Sequence, residues 1–110
     1  MTIITVSALE GRFTRDHRQA LALSLIDAVL VPEVGQMAPA ARIGFQVKFV
    51  ELASDTWAIG GRLVSDLSPS PDVMNIDIAV MSASWPQDVR NQVLKNVFQA
   101  LTEALGLAQP

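Results

Sequence analysis

Cysteine is absent from this chain of 110 residues, which excludes a disulfide scaffold, a Cys-based zinc site and a thiol nucleophile at once. Histidine occurs once, as His17, so neither a metal site nor a Ser-His-Asp triad around Ser7, Ser24 or Ser65 can be built on it. Its place beside Asp16 and Arg18 reads as a solvated helix residue. Tyrosine is also missing, and four Phe with two Trp leave little material for a base-stacking platform or a carbohydrate-binding strip. Basic excess is lacking too. Eight Lys and Arg against eleven Asp and Glu give a net charge of −3, which argues against nucleic acid as a partner. The longest apolar run, Ala20 to Val31, is interrupted by Ser24 and Asp27 and falls short of the ~20 residues a membrane span needs, so no membrane partner is expected. The first residues carry no basic stretch, and Glu10 and Arg12 follow too soon for a signal-peptide core; a cytoplasmic location is expected.

What is present is apolar. Half of the residues are hydrophobic and 17% are charged, a balance that describes a single domain over residues 1–110 with an ordinary core. Segments 3 to 9, 42 to 52 and 74 to 81 alternate in the manner of half-buried strands. Ile4, Val6 and Ala8 share one face of the first, Ile43, Phe45, Val47 and Phe49 of the second, and Ile76, Ile78 and Val80 of the third. The opposite faces carry Thr5 and Ser7, Gly44, Gln46 and Lys48, and Asn75 and Asp77, so one side of the sheet is polar or small. Thr14 is placed to cap a helix with Leu21, Ala22, Leu25, Ile26, Ala28 and Val29 on one stripe, and Pro32 is expected to end it. Pro86 suits the first turn of a second helix that stops at Gly106. That helix has Asp88, Asn91, Gln92, Lys95, Gln99, Thr102 and Glu103 on its polar stripe, and Leu94, Phe98, Leu101 and Leu105 are expected on the sheet.

Sliding the chain on itself by 72 positions aligns Ile4 with Ile76, Val6 with Ile78, Leu25 with Val97 and Val29 with Leu101 without a gap. Shared periodicity of any two strand-then-helix segments explains this as well as a duplicated β-α-β unit does. A returning strand of the second unit would begin at about position 117, beyond Pro110, so that unit is expected to lack it. The fold class is then α+β, with two helices on one face of a mixed sheet. Gly60-Gly61 before Leu63 and Val64, then Ser-Pro-Ser-Pro at 68 to 71, reads as a short hairpin arm followed by a linker. Such an arm is best satisfied on a neighbouring chain's sheet edge, which predicts an oligomer. Glu10, Asp27 and Asp77 are candidate acids that no spacing pairs, and Gly60-Gly61 precedes no Lys-Ser or helix start that would make a phosphate loop.

Three stretches carry a resemblance: the first strand running into Leu9-Glu10-Gly11-Arg12 and Phe13-Thr14, the segment Phe45 to Glu51 with Trp57-Ala58-Ile59-Gly60-Gly61, and the repeated β-α-β layout. Together they resemble the tautomerase superfamily, which includes 4-oxalocrotonate tautomerase, macrophage migration inhibitory factor and cis-3-chloroacrylic acid dehalogenase. The resemblance implies a trimer with a small pocket at the start of the first strand, near a subunit boundary, that acts on carboxylated enols or unsaturated acids without a cofactor. Family members use an N-terminal proline as base or acid; here that position is Thr2. Proline supplies a secondary amine that an apolar pocket keeps neutral. Thr2 supplies, after methionine removal, only a primary amine of reference pKa ~7.7–8.0. Arg12 matches the residue that binds a substrate carboxylate, against a plain ion pair with Glu10 or Asp16. Trp57 matches the pocket's aromatic wall, against a loop aromatic that plugs the core. Gln46 stands where the family often carries an arginine, with Lys48 two residues on along the same face, which leaves a weaker cationic site. Two functions follow: an isomerase using Thr2 and Arg12 with Gln46, Lys48 and Trp57 around the substrate, or a non-catalytic binding or structural subunit. The latter forms a homotrimer or pairs with a proline-bearing homologue.

Overall fold

A computed structural model describes residues 1–80 and 85–106. In chain order the elements are β1 (Thr2–Leu9), α1 (Arg15–Val34), β2 (Phe45–Leu52), β3 (Ala58–Ile59), β4 (Arg62–Leu63), β5 (Met74–Val80) and α2 (Gln87–Leu105). β1 is the middle strand, with β2 parallel on one side and β5 antiparallel on the other. The parallel pair requires a crossover, and α1 supplies it. Residue 81, the last of the expected third strand, lies outside the described residues.

Alternation along the three strands places one apolar face under both helices. Ile4 lies opposite Val47 and Ile78, and Val6 opposite Phe49 and Ile76. Leu21, Leu25 and Val29 of α1 and Val93, Val97 and Ala100 of α2 close the core over them. The duplicated-unit pattern is visible in the element starts: Thr2 and Met74 open the two long antiparallel strands and Arg15 and Gln87 open the helices, each pair 72 positions apart. Phe13 and Trp85 occupy the matching position before each helix.

Six local expectations are corrected. Pro32 lies inside α1, which runs to Val34 and ends on Gly35 in the left-handed region at φ 94°. A helical proline frees the carbonyl four residues back, here that of Ala28, and Asn96 of α2 donates its Nδ2 to that carbonyl at 3.2 Å. The second strand begins at Phe45 rather than 42, because Pro39–Gly44 forms a 3-10 helix that leaves Ile43 92% exposed. This turn carries Arg42 back to Asp27, which it grips with Nε and Nη2 at 2.9 Å each. Those hydrogen bonds raise the Arg42 pKa above its ordinary value. On α2 the inward stripe is Val93, Val97 and Ala100, while Leu94 and Phe98 stay 66% and 49% exposed. Thr102, expected on the polar stripe, is buried and donates its hydroxyl to the Phe98 carbonyl. Pro86 stands at the N-cap with extended ψ instead of inside the first turn. His17, finally, is half-buried: its Nδ1 accepts from the Thr14 amide while its own amide donates to the Thr14 hydroxyl, a capping box with histidine in the usual Glu or Gln place.

β3 and β4 form the expected arm. Gly60 and Gly61 both have positive φ, 61° and 82°, as the two-residue turn matching strand twist requires. At its base Val64 is fully buried and donates its amide to the Trp57 carbonyl at 2.8 Å. Among the described residues no helix is long and apolar enough to cross a membrane.

Candidate functional site

The end of the sheet where β1 and β2 finish and β5 begins carries a cleft of about 670 Å³ lined by Ser7, Leu52, Trp57, Ile59, Asp72, Val73, Met74 and Asn75. Ser7 and Asn75 are direct neighbours across β1 and β5 on the face away from the helices. The arm brings Trp57 and Ile59 against them. An apolar wall thus faces a hydroxyl, an amide and a carboxylate.

Arg12 reaches this cleft through Asp72. The chain leaves β1 through Gly11, at φ 80°, and the Arg12 amide donates to the Leu9 carbonyl at 3.1 Å. This tight turn lays the guanidinium 5.9 Å from the Phe13 ring centroid and lets Nε donate to Asp72 Oδ1 at 2.7 Å. The ion pair anticipated with Glu10 or Asp16 is therefore made with Asp72 instead. Its side chains are 23% and 53% exposed, so the arginine is the more sheltered partner. No local signal points to Asp72, which lies 60 positions along the chain.

Thr2 and Gln46 sit at the other end of the sheet. Thr2 lies between Phe45 and Val80, buried on the helix side, and Gln46 is paired with Ile3 and donates weakly to the Met1 sulfur at 3.8 Å. Lys48 lies midway, opposite Thr5, exposed on the face away from the helices. Seven strand steps separate Thr2 from Leu9, about 23 Å. One chain thus sets Arg12 one hydrogen bond, through Asp72, from the cleft that Trp57 lines, and keeps Thr2 and Gln46 at the other end of the sheet. Of the candidate acids, Asp27 is tied to Arg42 and Asp77 accepts from the Asn75 side chain at 2.9 Å, while Glu10 is exposed. Among the described residues no group of three His, Cys, Asp or Glu side chains is placed to hold a metal ion.

No family model matches the chain, and no curated protein does. Solved structures do. Native fused 4-OT is 21% identical with a TM-score of 0.74, over 96% of this chain and 77% of that one. A fused 4-OT described as a symmetric trimer is 19% identical with a TM-score of 0.70, over 96% and 76%. N1, a member of the cis-3-chloroacrylic acid dehalogenase family, is 21% identical with a TM-score of 0.64, over 96% and 66%. The chain carries the fold of the tautomerase superfamily.

Proposed function

We propose that this protein is a tautomerase-like isomerase that binds small carboxylated enols or unsaturated acids and moves a proton within them. The observation that carries the reading is Arg12, held one hydrogen bond from a cleft walled by Trp57. A guanidinium fork meets a carboxylate bidentately, and the indole keeps water from the reacting atoms. Once methionine is removed, a neutral Thr2 amine takes the enol O–H proton, and the ammonium so formed returns it to carbon. Gln46, at the amine's end of the sheet, and Lys48, midway along it, contribute polar contacts. Because Thr2 and Arg12 lie at opposite ends of β1, a site holding both draws them from two copies. A homotrimer supplies such a boundary, and fused 4-OT structures are described as symmetric and asymmetric trimers. A further similar structure, Pt0534 inactivated by 2-oxo-3-pentynoate, is 22% identical with a TM-score of 0.65 over 94% of this chain and 75% of that one. That inactivator is an electrophilic 2-keto acid, a carboxylate with a carbon open to an amine.

A second reading is favoured by one observation: Thr2 replaces the proline and its side chain is buried among the helix-side residues. In it the chain is a non-catalytic binding or structural subunit, alone or beside a proline-bearing homologue. Thr2→Pro, with methionine removal verified by intact mass, separates the two. Turnover of phenylenolpyruvate and 2-hydroxymuconate, followed by absorbance, should rise about 10²–10⁴-fold in the variant if only the base is missing. A processed, assembled variant without gain supports the non-catalytic reading. In the wild type, Arg12→Ala should weaken binding of these acids by about 1.5–3 kcal/mol; equal affinities would leave Arg12 as an ion-pair residue only.

A further inference from the structure

α2 carries more apolar surface than its own sheet covers. Val93, Val97 and Ala100 are buried in the core, while Leu94, beside Ile78 of β5, stays exposed. β5 itself pairs with β1 on one side, and among the described residues nothing pairs with its outer edge. An open strand edge next to an exposed leucine leaves room for one more strand.

The internal repeat shows which kind of strand fits. In the first unit α1 packs on β2, the strand outside β1. By the repeat α2 stands to β5 as α1 stands to β1, so its Leu94 side overhangs the position outside β5. Neighbouring strands lie about 4.8 Å apart and packed helices about 8–10 Å apart, so one helix roofs two strands. A strand that brings its own helix, such as β2 or β5 of another copy, would drive that helix into α2. Among the described residues, β3 and β4 are the strands that carry no helix.

β4 also matches the edge in its residues. Leu63 shares one face of the arm with Ala58, and Arg62 shares the other with Ile59. With Leu63 turned toward Leu94, Arg62 points to the sheet face away from the helices, where Asp77 is the acid of β5. Arg62, Leu63 and Asp77 are all exposed. Arg62 donates Nη2 to the Asp66 carbonyl at 3.3 Å, and among the described residues neither it nor Asp77 has an ion-pair partner.

We infer that β4 of a second copy adds to the outer edge of β5, with Leu63 against Leu94 and Arg62 beside Asp77. The arm expected on a neighbouring chain thus meets β5 and not β2. β4 is two residues long, so it covers Leu94 and leaves Phe98, a turn further along α2, at the rim. Each copy offers one arm and one such edge, so the contact is heterologous and closes a ring of copies. It rests on no step of the chemistry proposed above.

Sedimentation equilibrium over about 1–100 μM protein reads the contact as mass. The wild type should assemble, and Arg62→Glu and Asp77→Arg should each weaken assembly about tenfold or more, because attraction becomes like-charge repulsion. Both reversals in one chain should restore assembly to within about threefold of the wild type. Leu63→Gln and Leu94→Gln, at exposed positions that spare the core, should weaken it in the same direction as the single reversals. An inactive assembly that passes the charge swap supports the contact even where the isomerase reading fails. The inference is overturned if the wild type stays monomeric at about 100 μM, if either single reversal leaves assembly unchanged, or if the double reversal does not restore it. It is equally overturned if Lys48→Glu separates the copies and Arg62→Glu does not, which would put β2 on β5.

Discussion

The two β-α units share spacing and differ in closure. In the first, α1 lies over β1 and β2, its N-terminus is sealed by the Thr14 and His17 capping box, and Phe13 meets Phe49 edge to face. In the second, α2 begins on Pro86 with no side-chain cap, Leu94 and Phe98 face outward, and the Trp85 donor has no acceptor. Nearly the same apolar periodicity therefore produces two different environments. Periodicity builds the helix, but only a neighbouring strand decides which of its apolar residues is buried.

The sharpest way to break this comparison is to remove matching bulk from each unit. Leu25, fully buried on α1, should cost about 2–5 kcal/mol when changed to Ala, read from urea unfolding. Phe98→Ala on α2 should cost less than about 1 kcal/mol, because half of the side chain is already in water. A Phe98→Ala cost equal to that of Leu25→Ala would mean that the second unit is covered in solution and the asymmetry is only that of one isolated chain.

Much of the fold is legible in the residues themselves. Alternation fixes the three strands, the two glycines fix the hairpin, and Gly106 ends α2 in the left-handed region as its position suggests. Two of the misread places have causes far from the residues concerned. Pro32 breaks a helix in isolation, but Asn96, 64 positions later, satisfies the carbonyl that proline frees. The stripe of α2 is rotated because, among the described residues, no strand lies beyond β5 on its Leu94 side. In the candidate site, Arg12 and Trp57 are recognisable from short motifs, whereas Asp72 has no motif and enters through the start of β5.

The Pro32 account is testable by a double-mutant cycle. Asn96→Ala should cost about 1–2 kcal/mol, since it strands the Ala28 carbonyl at the helix interface. In a Pro32→Ala background residue 32 regains an amide that can donate to Ala28, so the same Asn96→Ala change should cost less than half as much. Equal costs in both backgrounds would show that Asn96 acts through packing between α1 and α2 and not through the freed carbonyl.

The smallest expected effect concerns Asp72. Arg42 and Arg12 each hold an aspartate, but Arg42 grips Asp27 with two nitrogens, whereas Arg12 touches Asp72 through Nε alone. The first pair is closed and ties the 3-10 helix to α1. The second leaves the terminal nitrogens of Arg12 for another acid, and places a negative charge beside the spot that acid would take. Two carboxylates on one guanidinium repel each other, so Asp72 competes with a ligand carboxylate for Arg12. With Asp72 half in water, its ion pair contributes at most about 1 kcal/mol to stability, and Asp72→Asn should leave the unfolding midpoint nearly unchanged. Affinity for phenylenolpyruvate should meanwhile rise about threefold, less at high salt, as the competing charge is removed. If affinity falls instead, Asp72 orients Arg12 for its ligand; the half-open pair is then a positioning device, and the distinction between the two arginines lies in geometry rather than in competition for charge.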